Sequence, residues 1–198
     1  MSAPSIAEFA QYRFVRDAGG NVVSLPAQGS DERILLVLDC ERWGLARLHI
    51  FEGAAVRAEK LEAFEEEMKL VSGFHADTVS RLISWGRDGE ELFYADEMLD
   101  GEPLPDYLGR AGKVPVPIAS RWILRFLDLF ESTDHLPPSM EHLTTLNFEV
   151  VRDRTGTVDL VFSEFQGWTK PGARVTRHRL DWCLAQVFCS LIAGVRIR

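Results

Sequence analysis

The feature that most constrains the fold of this sequence is a change of hydrophobic period along residues 33–98. Residues 33–39 (RILLVLD) are an apolar run of strand length, and residues 45–51 (LARLHIF) alternate, with Leu48 and Ile50 on one side and Arg47 and His49 on the other. Successive side chains of a strand point to opposite faces, so both runs read as strands. Arg42-Trp43-Gly44 between them makes them an antiparallel hairpin. The period then lengthens. Across residues 56–74, Leu61, Phe64, Met68 and Val71 recur at three- and four-residue steps, which predicts a helix. Glu59, Lys60, Glu62, Glu65, Glu66 and Lys69 fall on its opposite, solvated face. Residues 79–85 and 91–98 return to strands around a turn at 86–89. A chain that switches period twice in this way predicts an α+β fold with sheet and helices segregated.

The second half continues the alternation of elements. Asp100-Gly101-Glu102-Pro103 breaks the pattern, and a short helix is expected over 104–108. The prolines at 115 and 117 open a long helix whose apolar stripe is Ile118, Trp122, Ile123, Phe126, Leu127 and Phe130. Residues 148–152 and 157–162 flank Asp153-Arg154-Thr155-Gly156 as a hairpin. An apolar helix over 180–193 closes the chain, with Gly194 at its C-cap. Residues 1–30 are weakly patterned, with two short strands (12–16 and 22–25) about the turn Ala18-Gly19-Gly20-Asn21.

Composition removes several function classes. The net charge of −8 argues against a nucleic-acid binder, which needs a basic face to displace counterions from phosphates. No apolar run reaches membrane-spanning length, and the polar first ten residues do not read as a signal peptide. Cys40, Cys183 and Cys189 form no Cys-x-x-Cys pair and read as free thiols in a reducing cytoplasm. The five histidines, 49, 75, 135, 142 and 178, lack His-x-x-x-His spacing, so no metal site is expected. There is no Gly-x-Ser-x-Gly elbow.

Specific residues add a resemblance to this pattern. Residues 43–51 (WGLARLHIF) resemble the protein-kinase strand ending in Val-Ala-Ile-Lys, with His49 at the Lys position. Phe64-Glu65-Glu66-Glu67-Met68 resembles the helix carrying the Glu that pairs with that Lys, and Glu67 falls at the Glu. Residues 92–104 (LFYADEMLDGEPL) resemble the strand and hinge between the kinase lobes, with Glu97 at the hinge. Residues 140–148 (MEHLTTLNF) stand where the His-Arg-Asp loop would be. They put His142 at the catalytic Asp and Asn147 at the metal-binding Asn. The Asp of Asp-Phe-Gly falls on Phe162 or Glu164, depending on register. The resemblance, of a bacterial Ser/Thr kinase type with a truncated large lobe, spans about residues 30–194. It implies a small antiparallel-sheet lobe over 31–99, a minimal and mainly helical large lobe over 100–198, and an N-terminal extension over 1–30.

A kinase site needs a glycine-rich loop, a Lys held by a Glu, metal ligands and a base. The two candidates for the loop, Gly19-Gly20 and Gln28-Gly29-Ser30, both lack its spacing, and Asp31 and Glu32 beside the second would repel a triphosphate. His49 has an ordinary pKa near 6.5, so the charge at neutral pH is expected to be lost. The expectation is therefore a non-enzyme, a pseudokinase with no catalytic residues, metal or cofactor, acting as a protein-binding or scaffolding module. The alternative is an ATP-dependent phosphotransferase holding a metal on Glu164 and Asn147. A second alternative is an unrelated α+β interaction domain.

Overall fold

The computed structural model describes residues 11–27, 31–51, 58–74, 76–133, 135–152, 155–166, 168 and 176–194, apart from the side chains of Ala58, Glu59, Glu141, His142 and Arg177. The chain divides into two compact units, Met1–Glu65 with Arg81–Met98, and Glu66–Ser80 with Leu99–Arg198.

The first unit is built on an antiparallel sheet. Its strands are β1 (Tyr12–Phe14), β2 (Ser24–Leu25), β3 (Glu32–Asp39), β4 (Gly44–Phe51), β5 (Leu82–Asp88) and β6 (Glu91–Glu97), in the order β1-β3-β4-β6-β5 with β2 also on β3. β1 and β2 lie along the same partner, Tyr12 opposite Asp39 and Leu25 opposite Ile34, so together they form one interrupted edge strand. The interruption is the turn read from the sequence, closed by an Arg16–Val22 bridge. One face of the sheet is the core: Val37, Ala46, Leu48, Ile50, Phe93 and Ala95, with Tyr12. The sheet curls around that core far enough for Tyr12 Oη to reach Ser84 Oγ, 2.7 Å away on the opposite edge.

The β3–β4 turn is pinned by Asp39. Its Oδ1 accepts the N–H groups of Glu41 (2.9 Å) and Arg42 (3.3 Å), and its Oδ2 pairs with the Arg42 guanidinium. The turn leaves Trp43 at φ 55°, a left-handed conformation that costs a non-glycine residue roughly 1 kcal/mol. Trp43 is 81% exposed.

The β5–β6 hairpin differs from the expected one. Asp88 pairs with Glu91, so the loop is only Gly89 and Glu90, and Gly86 lies inside β5 against the Phe93 ring. A two-residue hairpin loop with glycine first requires positive φ there, and Gly89 has φ 58°. Val79, expected in the same strand, instead bridges in parallel to Phe162.

The helix α1 (Ala58–Ser72) begins in the first unit, where Phe64 meets Trp85 edge-on at 6.1 Å, and ends in the second. The second unit adds β7 (Gly101–Pro103), α2 (Leu104–Ala111), α3 (Val116–Glu131), β8 (Phe148–Arg152), β9 (Val158–Phe162) and α4 (Arg177–Ala193). Two short 3-10 turns, Pro138–His142 and Thr145–Asn147, lead into β8. The expected stripe on α3 faces inward at Trp122, Phe126 and Phe130. Phe126, Phe148, Phe162 and Phe165 continue it as edge-to-face neighbours 5.2 to 5.9 Å apart, a favoured aromatic geometry. The Trp122 indole donates to the Val158 carbonyl at 3.0 Å, tying α3 to β9. α4 ends at Gly194, whose φ of 69° and close approach to the Lys113 backbone admit no side chain.

Candidate functional site

The charged residues of the first unit are gathered by strand register. On β4, Arg47 and His49 are two residues apart and share a face. Across the β4–β6 ladder Arg47 lies opposite Asp96 and His49 opposite Tyr94; across β3–β4, His49 lies opposite Ile34. Glu32, two residues before Ile34, is therefore on the same face. Diagonal neighbours on a sheet are within reach of long side chains, and a four-residue network results. His49 Nδ1 is 2.8 Å from Glu32 Oε1 and its Nε2 is 3.2 Å from Asp96 Oδ1. Arg47 donates from Nε to Asp96 Oδ1 (3.1 Å) and from its terminal nitrogen to Oδ2. The Tyr94 ring stacks on the imidazole, centroids 4.2 Å apart.

The network is dry. The side chains of His49, Glu32 and Asp96 are at most 2% exposed and that of Arg47 is 11% exposed. Burial alone would push the His49 pKa down; the hydrogen bonds and charges of Asp96 and Glu32 outweigh it and raise it to about 9. Burial would raise the Asp96 pKa, and Arg47 with His49 reverses this and holds it below the usual carboxylate range. Two cations thus face two carboxylates, the balance that lets charges sit away from water.

Two expectations change here. His49 was expected to be neutral and to face a cleft or solvent; it is buried, and the hydrogen bonds and charges of Asp96 and Glu32 raise its pKa. Glu32 was expected to repel phosphate; its carboxylate is buried against His49. Of the two candidates for the glycine loop, Gly19-Gly20 lies in the turn between β1 and β2, and residues 28–30 lie outside the described residues.

Glu67 is also buried, but in the second unit. Its two oxygens accept the backbone N–H groups of Ser139 (3.0 Å) and Trp168. Glu97 is exposed at the end of β6, its N–H donating to the Arg81 carbonyl. Asn147 caps a 3-10 turn: its Oδ1 accepts from the Thr144 N–H (2.8 Å) and Thr144 Oγ1 (3.0 Å). Both lone pairs of that oxygen are thereby used, so Asn147 does not fit a metal ligand in this conformation. The Phe162 side chain is fully buried in the aromatic row. Glu164 follows it, half-buried, accepting from Gln166 Nε2 at 3.2 Å, and Phe165 beside it is fully buried. The His142 side chain lies outside the described residues.

Arg47 and Asp96 were not singled out from the sequence. The signal that could have found them is period two along β4 and β6. Which residue of one strand faces which of the other, however, is set by ladder register.

No family model and no curated protein matches the chain by sequence. By fold it is similar to the kinase domain of PknI from Mycobacterium tuberculosis, with a TM-score of 0.74 and 18% identity, covering 98% of this chain and 79% of that one. A second structure of that domain gives a TM-score of 0.73 at 17% identity, covering 94% and 74%. The fold is therefore protein-kinase-like, as the order of elements implied. These matches correct the expectation of a non-enzyme. The chains that superpose over nearly its whole length are kinase domains.

Proposed function

We propose that this protein-kinase-like chain is an ATP-dependent phosphotransferase whose small-unit cation is a histidinium in place of a lysine. The observation that carries the reading is His49 held between Glu32 and Asp96, with a pKa of about 9. Phosphoryl transfer rests on positioning and on fixed charge near the phosphates. His49 stands where the resemblance places Lys, and with Arg47 it is balanced by the carboxylates of Glu32 and Asp96, so the network supplies a fixed arrangement of charges with no net positive charge of its own. Magnesium is bound by one or two carboxylates together with substrate phosphates, a chemistry that Glu164 fits and Asn147, as placed, does not. The free cysteines Cys40, Cys183 and Cys189 accord with a cytoplasmic setting.

The test is a thermal titration with ATP, with and without magnesium, followed by transfer of labelled phosphate. A ligand at a hundredfold excess over its Kd stabilises the native state by about 2.7 kcal/mol. The expected result is a magnesium-dependent rise in Tm that His49→Leu abolishes. No shift at millimolar nucleotide would refute the proposal.

A second reading, a protein-binding module, is favoured by the exposure of Trp43 on a turn that holds it in a strained conformation. Tryptophan and arginine are over-represented among residues that carry binding energy, and Arg42 adjoins it. A null nucleotide titration would bring this reading forward.

A further inference from the structure

The second unit has a cavity of its own, about 290 Å³, on one face of its three-stranded sheet. The floor follows from ladder register. Glu102 of β7 lies opposite Val150 of β8, and Arg152 of β8 lies opposite Val158 of β9. Residues directly opposite share a face of the sheet, and so do residues two apart on one strand, so these four stand together. Val150, which is buried, and Val158 make the floor apolar. Gly101 brings Asp100 to the same place. There β7 runs so close to β8 that a Cβ at Gly101 would lie 3.0 Å from the Val150 carbonyl oxygen. Asp100, just before the Gly101–Val151 pair, and Arg152, just after it, both line the cavity.

The charges around that floor are of two kinds. Glu102 and Arg110 of α2 satisfy each other. The guanidinium donates from Nε (3.3 Å) and from a terminal nitrogen (2.7 Å) to the two carboxylate oxygens, and it lies over the Tyr107 ring, 5.4 Å from the centroid. Asp100 and Arg152 are not matched in this way. Among the described residues the Asp100 carboxylate has no hydrogen bond or ion pair. The Arg152 side chain donates to the Gly156 carbonyl at 3.2 Å, which leaves its other N–H groups for a ligand. Opposite charges on facing strands gain by meeting; these two stand at one cavity without an ion pair.

We infer that this cavity binds a small zwitterion, an α-amino acid with an apolar side chain, its carboxylate on Arg152, its ammonium on Asp100 and its side chain against Val150 and Val158. The balance of charge selects that class. Once Glu102 and Arg110 have neutralised each other, one anion and one cation remain, and a ligand with a single charge would leave the other without a partner. Volume sets the size: about 290 Å³ is the share of roughly ten water molecules, room for an amino acid but not for a nucleoside triphosphate. The inference does not rest on the phosphotransferase reading and stands without it.

The experiment is an amide NMR titration of the whole protein with valine, leucine and phenylalanine, and with the deaminated acid and the decarboxylated amine of each. At least one of the amino acids is expected to give saturable shifts at millimolar concentration, largest at the Gly101 and Val151 amides. Its one-charge analogues are expected to bind about tenfold more weakly, as each loses a hydrogen-bonded charge. Asp100→Asn and Arg152→Gln are each expected to weaken the amino acid by a similar factor. Asp100→Asn should leave the Tm of the unliganded protein unchanged, because its carboxylate holds nothing in the fold. No saturable shift with any of the three amino acids overturns the inference. So does an acid or amine that binds as tightly as its parent, or undiminished affinity in Asp100→Asn. If Arg152→Gln does not fold, the analogues and Asp100→Asn decide the matter.

Discussion

Replacing His49 by glutamine removes the buried cation and keeps a side chain able to hydrogen-bond. In the wild type the His49 pKa rises from 6.5 unfolded to about 9 folded. Between those values the native state binds one proton more than the unfolded chain, so stability falls as pH rises, by about 1.4 kcal/mol per pH unit at most. The stabilisation is fully present below pH 6.5 and is lost as pH passes through about 9. The whole effect is on the order of 3 kcal/mol, and the burial of the ring removes solvent screening as a discount. His49→Gln should therefore lie below wild type by on the order of 3 kcal/mol near pH 6, and the two should converge by about pH 10. The assay is urea unfolding followed by tryptophan fluorescence at one-unit pH steps, read as the difference between the two proteins. Groups that do not touch the imidazole are common to both and cancel; Asp96, whose carboxyl His49 helps to hold low, does not. A gap that stays constant across the range would refute the reasoning, because it would mean that His49 contributes shape and not charge.

Three further outcomes follow from the backbone and the core. Gly194→Ala forces a side chain into φ 69° with its Cβ 2.9 Å from the Lys113 nitrogen, and should cost about 1–3 kcal/mol in thermal unfolding. Trp122→Phe removes the indole N–H that the Val158 carbonyl accepts, and should cost about 1 kcal/mol, read in urea. Trp43→Gly relieves a left-handed residue in the β3–β4 turn and should raise stability by roughly 0.5–1 kcal/mol; a fall in Tm would show that the indole packs against something that stabilises it.

The elements legible in the sequence were those whose signal is local. The α3 stripe reads directly because one helix face needs only its own residues, and the β8–β9 hairpin reads from its Asp-Arg-Thr-Gly turn. Val79 was misplaced because an apolar residue beside a strand carries no mark of which strand it pairs with; here it pairs with Phe162. The candidate site divides the same way. His49 stood out as a substitution in a recognisable strand, but its partners Glu32 and Asp96 come from two other strands. Its charge was misread because an unperturbed pKa describes a solvated imidazole, and the burial and the carboxylates that decide the matter exist only in the folded sheet.

The bridge that carries Val79 to Phe162, with Ser80 donating to the Phe162 carbonyl and Phe162 to that of Thr78, sets an order of assembly. As the chain leaves the ribosome, β3, β4, β5 and β6 are complete by Glu97 and can pair at once. Residues 66–80 must wait for β9 before their unit can close. Long-range closure of this kind is slow. The buried apolar residues Met68 and Val71 and the acid Glu67 are therefore unsheltered during synthesis for as long as it takes to make the next eighty or so residues. Conditions that stall translation between β6 and β9 would present that helix end to chaperones, while the first sheet is already formed.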